Sequence, residues 1–207
     1  MNRRFKNSDF ENAQLIRTSQ AKTILPGSIL VASPAIENTP FGRTVVLVVQ
    51  NSENGIFGVV LNRPGNQQLR SEWLQMTGGP DGEESLVHGG PIGGPVFAIH
   101  QDQRLAEMEI PGGVFITADS QTVEELVRQA DPDNRSDYRI VFGVAGWKHQ
   151  QLSRELDNGC WFQIGGSPEI VFDNPSSMWE RSLRTYSENT ICDVIGISGL
   201  PTDPELN

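Results

Sequence analysis

Cysteine is scarce in this chain of 207 residues, with thiols only at Cys160 and Cys192. Two isolated cysteines in a chain this long do not form a disulfide framework. Histidine is scarcer still in useful arrangements. His88, His100 and His149 lie far apart, and no His/Cys pair has ligand spacing, so the sequence implies neither a metal centre nor a cofactor. Long apolar runs are missing as well. The longest aliphatic run, Val45 to Val49, falls far short of the roughly 20 residues that cross a bilayer. Arg3, Arg4 and Lys6 open the chain with no apolar stretch behind them, so this start does not read as a secretory signal. These absences agree on a cytoplasmic protein of a reducing compartment. The signatures of familiar catalysis are absent too: there is no Gly-x-Ser-x-Gly, no Gly-Lys-Ser/Thr phosphate loop and no Gly-x-Gly-x-x-Gly. The sequence therefore leans against an enzyme.

Positive charge is in short supply, and the net charge is −10. Residues 1–25 hold five basic groups (Arg3, Arg4, Lys6, Arg17, Lys22) against Asp9 and Glu11, a balance of +3 that leaves −13 for the remainder. An acidic body repels phosphate backbones and argues against direct DNA binding. Three segments are expected: a basic extension over 1–25, one domain over 26–197 and a loosely held tail over 198–207.

What is present is glycine, proline and β-branched runs. Gly27 to Ala32, Arg43 to Gln50 and Ile56 to Leu61 read as strands, the last two as a hairpin around Asn51–Gly55. Leu69 to Met76 reads as a short helix ended by Gly78. Leu86 to His88, Val96 to His100, Glu107 to Ile110 and Val114 to Thr117 read as further strands. Ser120 or Thr122 is placed to cap a helix running to Ala130, with Glu124 and Glu125 in its first turn. Tyr138 to Ala145 reads as one long strand turned at Gly146. A helix over Lys148–Leu156, a strand over Cys160–Ile164 and a last amphipathic helix opened by Asn174-Pro175 follow. Hairpins with interspersed helices predict an α+β single domain with a mixed, largely antiparallel, partly barrel-like sheet flanked by helices.

The densest candidate for chemistry is His88-Gly-Gly-Pro-Ile-Gly-Gly-Pro95, with four glycines in eight residues. Such a loop lets backbone amides approach an anion; the same composition equally serves a tight strand connection. Asn62-Arg63-Pro64 closes a strand, where Arg63 can bind a carboxylate or phosphate or tie down a neighbouring loop. Asn62, Arg63, His88, Gly89, Gly90 and Pro91, with Trp147 as an aromatic wall, form the candidate ligand set. Cys160 beside Trp161 reads as a core thiol, whereas Cys192 has room to be exposed.

Several of these segments resemble one family in order and spacing. They are Gly27-Ser-Ile-Leu-Val-Ala-Ser-Pro34, Thr44-Val-Val-Leu-Val-Val49, Gly55-Ile-Phe-Gly-Val-Val-Leu-Asn-Arg-Pro64, His88-Gly-Gly-Pro91, and Phe142-Gly-Val-Ala-Gly-Trp147 with Gln151-Leu152 and Glu155. Together with the late aromatics Trp161, Phe172 and Trp179, they resemble the AlgH/YqgE family of uncharacterised bacterial proteins. Lys148-His149-Gln150 departs from the Gly-containing turn usual there. The resemblance implies a non-enzymatic regulatory or interaction protein, described in this family as a transcriptional regulator by association with expression phenotypes. The alternative is a small-anion or small-molecule binder, or an enzyme, using the Gly-rich loop. The partner expected is a protein or a small anion, with no membrane.

Overall fold

Two β-branched runs dominate the core. Strand β2 (Val45–Ser52) and strand β3 (Gly55–Val60) pair antiparallel, joined by a two-residue turn at Glu53-Asn54. The connection is tighter than the five residues expected, because both strands extend into the polar segment. Val45, Val46, Leu47, Val48, Val59 and Val60 are all essentially inaccessible to solvent. Both faces of the hairpin are therefore covered, which is why its strands read as unbroken apolar runs without alternation.

The computed structural model describes residues 23–78, 85–129 and 138–195, with side chains described to residue 192. Most of the expected basic extension and the whole tail 198–207 lie outside the described residues. Besides β2 and β3, the strands are β1 (Ser28–Ala32), β4 (Leu86–His88), β5 (Phe97–His100), β6 (Met108–Ile110), β7 (Val114–Thr117), β8 (Tyr138–Phe142), β9 (Ala145–Trp147) and β10 (Trp161–Gly165). The helices are α1 (Gln67–Thr77), α2 (Ser120–Gln129), α3 (His149–Asp157), α4 (Pro168–Val171) and α5 (Pro175–Ile195).

The strands form two five-stranded sheets, ordered β10-β1-β2-β3-β9 and β4-β8-β5-β7-β6. Among the described strands only β4 and β8 pair in parallel. The α+β class and the largely antiparallel, mixed pairing hold. The barrel-like element does not: neither sheet closes, and each keeps two edge strands. The physical cause is at Gly143. Tyr138 to Ala145 is not one strand, because Gly143 at φ +75 breaks it, sending β8 into the second sheet and β9 into the first. The turn thus sits at Gly143, while Gly146 lies inside β9.

Three buried clusters define the layers. Between the sheets lie Ile29, Val31, Leu47 and Val59 of the first, Val87, Ile99 and Val141 of the second, and Met178 of α5. Outside the first sheet, Leu152 of α3 packs on Leu30, Val46, Trp147 and Trp161. Outside the second, Leu69 and Trp73 of α1 and Val123 and Leu126 of α2 cover Ala98 and Ile140. Helix α2 is capped by Asp119, whose Oδ1 accepts the Thr122 amide at 2.9 Å, and not by Ser120 or Thr122. Its first turn holds no acidic residue, so Glu124 and Glu125 lie beyond it. Cys192, on α5 itself, is buried at 9% exposure, where the sequence left room for an open thiol.

Val59→Asp places a carboxylate with no partner between the sheets. We expect a loss of at least ~3 kcal/mol, read as a collapsed thermal transition or an unfolded chain by circular dichroism. An unchanged melting temperature would show that β3 is not in the core.

Candidate functional site

The segment after β3 leaves the ladder yet stays bonded to it. Asn62 Oδ1 accepts the Val45 amide at 2.9 Å, and its Nδ2 donates to the Arg43 carbonyl at 2.8 Å. The side chain thereby does for β2 what a further strand residue would do. Arg63 donates through Nη2 to the carbonyls of Pro40 and Gly42 at 3.0 and 3.3 Å. The 37–43 loop it holds is tight, since a Cβ on Gly42 would sit 2.0 Å from the Glu37 carbonyl oxygen. Pro64 bridges Val87, and the His88 amide donates to the Arg63 carbonyl at 2.8 Å. That register sets Arg63 opposite His88, both exposed, at one end of the second sheet.

The Gly-Gly-Pro motif sits at the joint of the two sheets. The Gly89 amide donates to Phe142 of β8, and its carbonyl accepts from Val60 of β3, both at 2.8 Å. A Cβ on Gly90 would lie 2.2 Å from the Val144 carbonyl carbon. Ile92 and Val144 exchange two backbone hydrogen bonds, at 2.9 and 2.8 Å. The loop therefore has two halves. Gly89 and Gly90 are buried, whereas Pro91 to Pro95 are exposed and nothing lies within 4 Å of a Cβ built on Gly93 or Gly94.

Trp147 belongs to another part of the molecule, under α3 on the outer face of the first sheet. Its ring centroid is 5.9 Å from that of Trp161, edge to face, and 5.7 Å from that of Phe41. Glu155 Oε2 accepts both indole N–H groups, from Trp147 at 3.1 Å and Trp161 at 2.8 Å. Gln151 donates to its other oxygen at 2.9 Å. The spacing of Glu155 between two tryptophans on either side of a helix is a sequence signal for this acceptor, which the candidate set left out.

The structure thus brings Asn62, Arg63, His88, Gly89, Gly90 and Pro91 together and leaves Trp147 apart. Asn62, Arg63 and the amides of Gly89 and Ile92 already serve as ties between elements. Among the described residues no group of three His, Cys, Asp or Glu side chains could hold a metal ion.

Three further polar groups lie outside the candidate set. Arg43 is the one described non-glycine residue with positive φ, at 56°, and its guanidinium lies 4.4 Å from the Trp179 ring centroid and 2.7 Å from Glu180. Arg139 is 6% exposed, and His100 is wholly buried with neither ring nitrogen hydrogen-bonded. Desolvation lowers the pKa of His100 from its ordinary 6.5, outweighing the opposing pull of Asp102. The Arg104 guanidinium, bonded to Asp102 at 2.6 Å, holds that carboxyl at about 2.

Two expectations follow from these ties. Arg63→Ala frees the 37–43 loop from two carbonyl contacts and should cost about 1 kcal/mol in urea unfolding; equal midpoints would show the side chain to be structurally idle. The unfolded chain protonates His100 more readily than the folded one. Its contribution is therefore complete above the ordinary 6.5 and lost as pH falls through the lower folded value. Urea midpoints taken at about pH 8 and about pH 5 should fall less for His100→Leu than for the parent chain. Parallel losses in both proteins would assign the acid sensitivity elsewhere.

Comparison with known proteins agrees with this architecture. The model of the AlgH-like family (DUF179) matches residues 29–190. A UPF0301 protein of Xanthomonas campestris pv. campestris is 32% identical over 160 residues, covering 73% of this chain and 82% of that protein. A UPF0301 protein of Thermobifida fusca is 31% identical over 201 residues, covering 88% and 96%. Among solved structures, the solution structure of the AlgH protein from Pseudomonas aeruginosa superposes with a TM-score of 0.63 at 23% identity, over 88% of this chain and 99% of that one. A crystal structure of a Corynebacterium diphtheriae protein gives 0.59 at 24% identity, over 83% and 92%. These structural likenesses show the fold. The family match and the curated relatives go further: the chain belongs to the AlgH-like family.

Proposed function

We propose that the protein is a cytosolic interaction module that regulates by holding a protein partner, and that the partner meets the outer half of the Gly-rich loop. The observation that carries this reading is the division of that loop. Its inner half is bonded into both sheets, and its outer half, Pro91 to Pro95, stands exposed, with Ile92 pinned to Val144 through its backbone while its side chain is at 44% exposure. An anchored, proline-bounded loop loses little conformational entropy when it is bound, which favours recognition. A role in transcription, which the family resemblance implies, would run through such a protein partner. A net charge of −10 works against direct contact with a duplex.

A second reading has its own support. Arg63 and His88 face one another across the Pro64–Val87 bridge and are both exposed, an arrangement that suits a small anion or a carboxylate on the partner.

The test is cross-linking in cell extract with the purified chain, followed by mass spectrometry. Ile92→Asp should lose a specific cross-linked protein while keeping the parental melting temperature. The same set of proteins with both chains would end the loop reading. Loss with Arg63→Ala alone would move the contact to the Arg63–His88 pair.

A further inference from the structure

The two described sheets end in the strands β10, β9, β4 and β6, and three of these edges are short and blunted. Strand β4 is lined by Arg63 to Gly65, whose main chain bonds to Leu86 and His88. Strand β9 has three residues, and Val144 just before it is tied to Ile92. Strand β6 has three residues, carries Glu109 and runs into Pro111. Strand β10 differs. Trp161-Phe-Gln-Ile-Gly165 has five residues, no charge and no proline, and it keeps an unbroken register along β1. Natural sheets ordinarily protect such an edge, because its free N–H and C=O groups template another strand.

The open groups are identified by the ladder itself. The Ser33 amide donates to the Cys160 carbonyl at 2.9 Å, so in this register Phe162 and Ile164 carry the bonds to β1. The main-chain groups of Trp161, Gln163 and Gly165 then point away from β1, and no described element bonds them. Gln163 Nε2 donates to Ser28 Oγ at 3.2 Å and to the Thr23 carbonyl at 3.5 Å, while its Oε1, shut from solvent, accepts nothing. A Cβ built on Gly165 would meet nothing within 4 Å. Helix α5 crosses this edge on the inner face. Its Trp179 bonds the Ala32 carbonyl of β1, and Tyr186 stacks on Phe162 of β10 with ring centroids 4.4 Å apart. From Tyr186 to Ile195 the helix runs on for about 13 Å, past the last strand. Residues 187–191 of this overhang are exposed, Ile191 at 50%.

We propose that β10 docks a second copy of this chain, the two β10 strands pairing antiparallel about a twofold axis at Gln163. Pairing over the whole strand sets Gln163 opposite Gln163 and Trp161 opposite Gly165, so every outward main-chain group faces another. A slip of one residue would turn those groups away from each other. In this register each side chain meets its complement. The amide of one Gln163 stands directly opposite the unpartnered Oε1 of the other. The bare Gly165 leaves room beside Trp161. On the inner face the half-buried Phe162 meets Ile164, and the overhang of α5 covers the seam. An unrelated strand gains only the main-chain bonds, whereas a second copy supplies all of these at once. Two chains of −10 repel at long range, so association strengthens as salt screens that charge.

The experiment is analytical ultracentrifugation of the full chain from about 1 to about 200 μM, in about 50 and about 500 mM salt. A dimer should form with concentration and tighten in the higher salt. Gln163→Lys and Gln163→Glu each set like charges against one another at the axis. Each alone should weaken the dimer by about tenfold or more, with cooperative melting retained. An equimolar mixture of the two should restore it, because only a residue that meets itself is rescued by its charge-swapped counterpart. In the parent chain the outward Gln163 amide should exchange its hydrogen more slowly as the dimer fills. A monomer at every concentration and salt, variants that dimerise like the parent, a mixture no tighter than either variant alone, or a dimer with unchanged exchange at Gln163 would overturn the proposal. None of these results depends on partner capture through the Gly-rich loop, so the two ideas stand or fall separately.

Discussion

The two sheets of this molecule meet at the main chain of Gly89. Gly89 donates to Phe142 in one sheet and accepts from Val60 in the other. Side-chain packing between the sheets is non-directional and would tolerate sliding, whereas two backbone hydrogen bonds of opposite sense on one peptide do not. The surrounding glycines follow from that constraint. Gly143 must turn back at positive φ beside the Gly90 carbonyl, and Gly90 itself has no room for a Cβ against Val144. The motif that looks like a ligand cradle is thus required by the approach of two backbones. Beyond the Ile92–Val144 bonds, Gly93 and Gly94 lie past that contact in open space.

A second node depends on the first. The 37–43 loop receives Arg63 on two carbonyls and Asn62 on a third, and it sends Phe41 into the Trp147–Trp161 cluster and Arg43 onto Trp179. One short loop therefore connects the joint, the α3 layer and α5. Arg43's left-handed backbone, unfavourable for a residue with a Cβ, is held there by the contact with Trp179 and the ion pair with Glu180.

The elements that were legible in the sequence are those with local causes. Val45 to Val49 and Ile56 to Val60 carry β-branched side chains around turn residues, and the hairpin formed as that pattern dictates. Gly78 at φ +72 ended α1, and Asn158 with Gly159 closed α3. The split of Tyr138 to Ala145 was not legible, since apolar periodicity runs straight through Gly143 and only its dihedral angle separates two sheets. The cap of α2 fell to Asp119 because a carboxylate one residue earlier reached the Thr122 amide. Proximity of Asn62, Arg63 and His88 was accessible from the chain order of strand ends. Their hydrogen-bond partners were not, because Pro40 and Gly42 approach from a loop more than twenty residues away. Arg139 gave least sign of all, lying within an apolar strand and meeting Asp173 only through the fold.

The chain's four tryptophans are distributed among the layers. Trp73 of α1 packs on the outer face of the second sheet, Trp147 and Trp161 share the α3 side of the first, and Trp179 seals α5 with its indole N–H on the Ala32 carbonyl. Each set sits in a distinct electrostatic setting: a carboxylate on the paired indoles, a guanidinium over the third. Intrinsic fluorescence is thereby partitioned by layer. Replacing tryptophans in turn by phenylalanine converts the molecule into a set of optical reporters, through which the detachment of α5, the loosening of α3 and the opening of the second sheet can be timed as separate events.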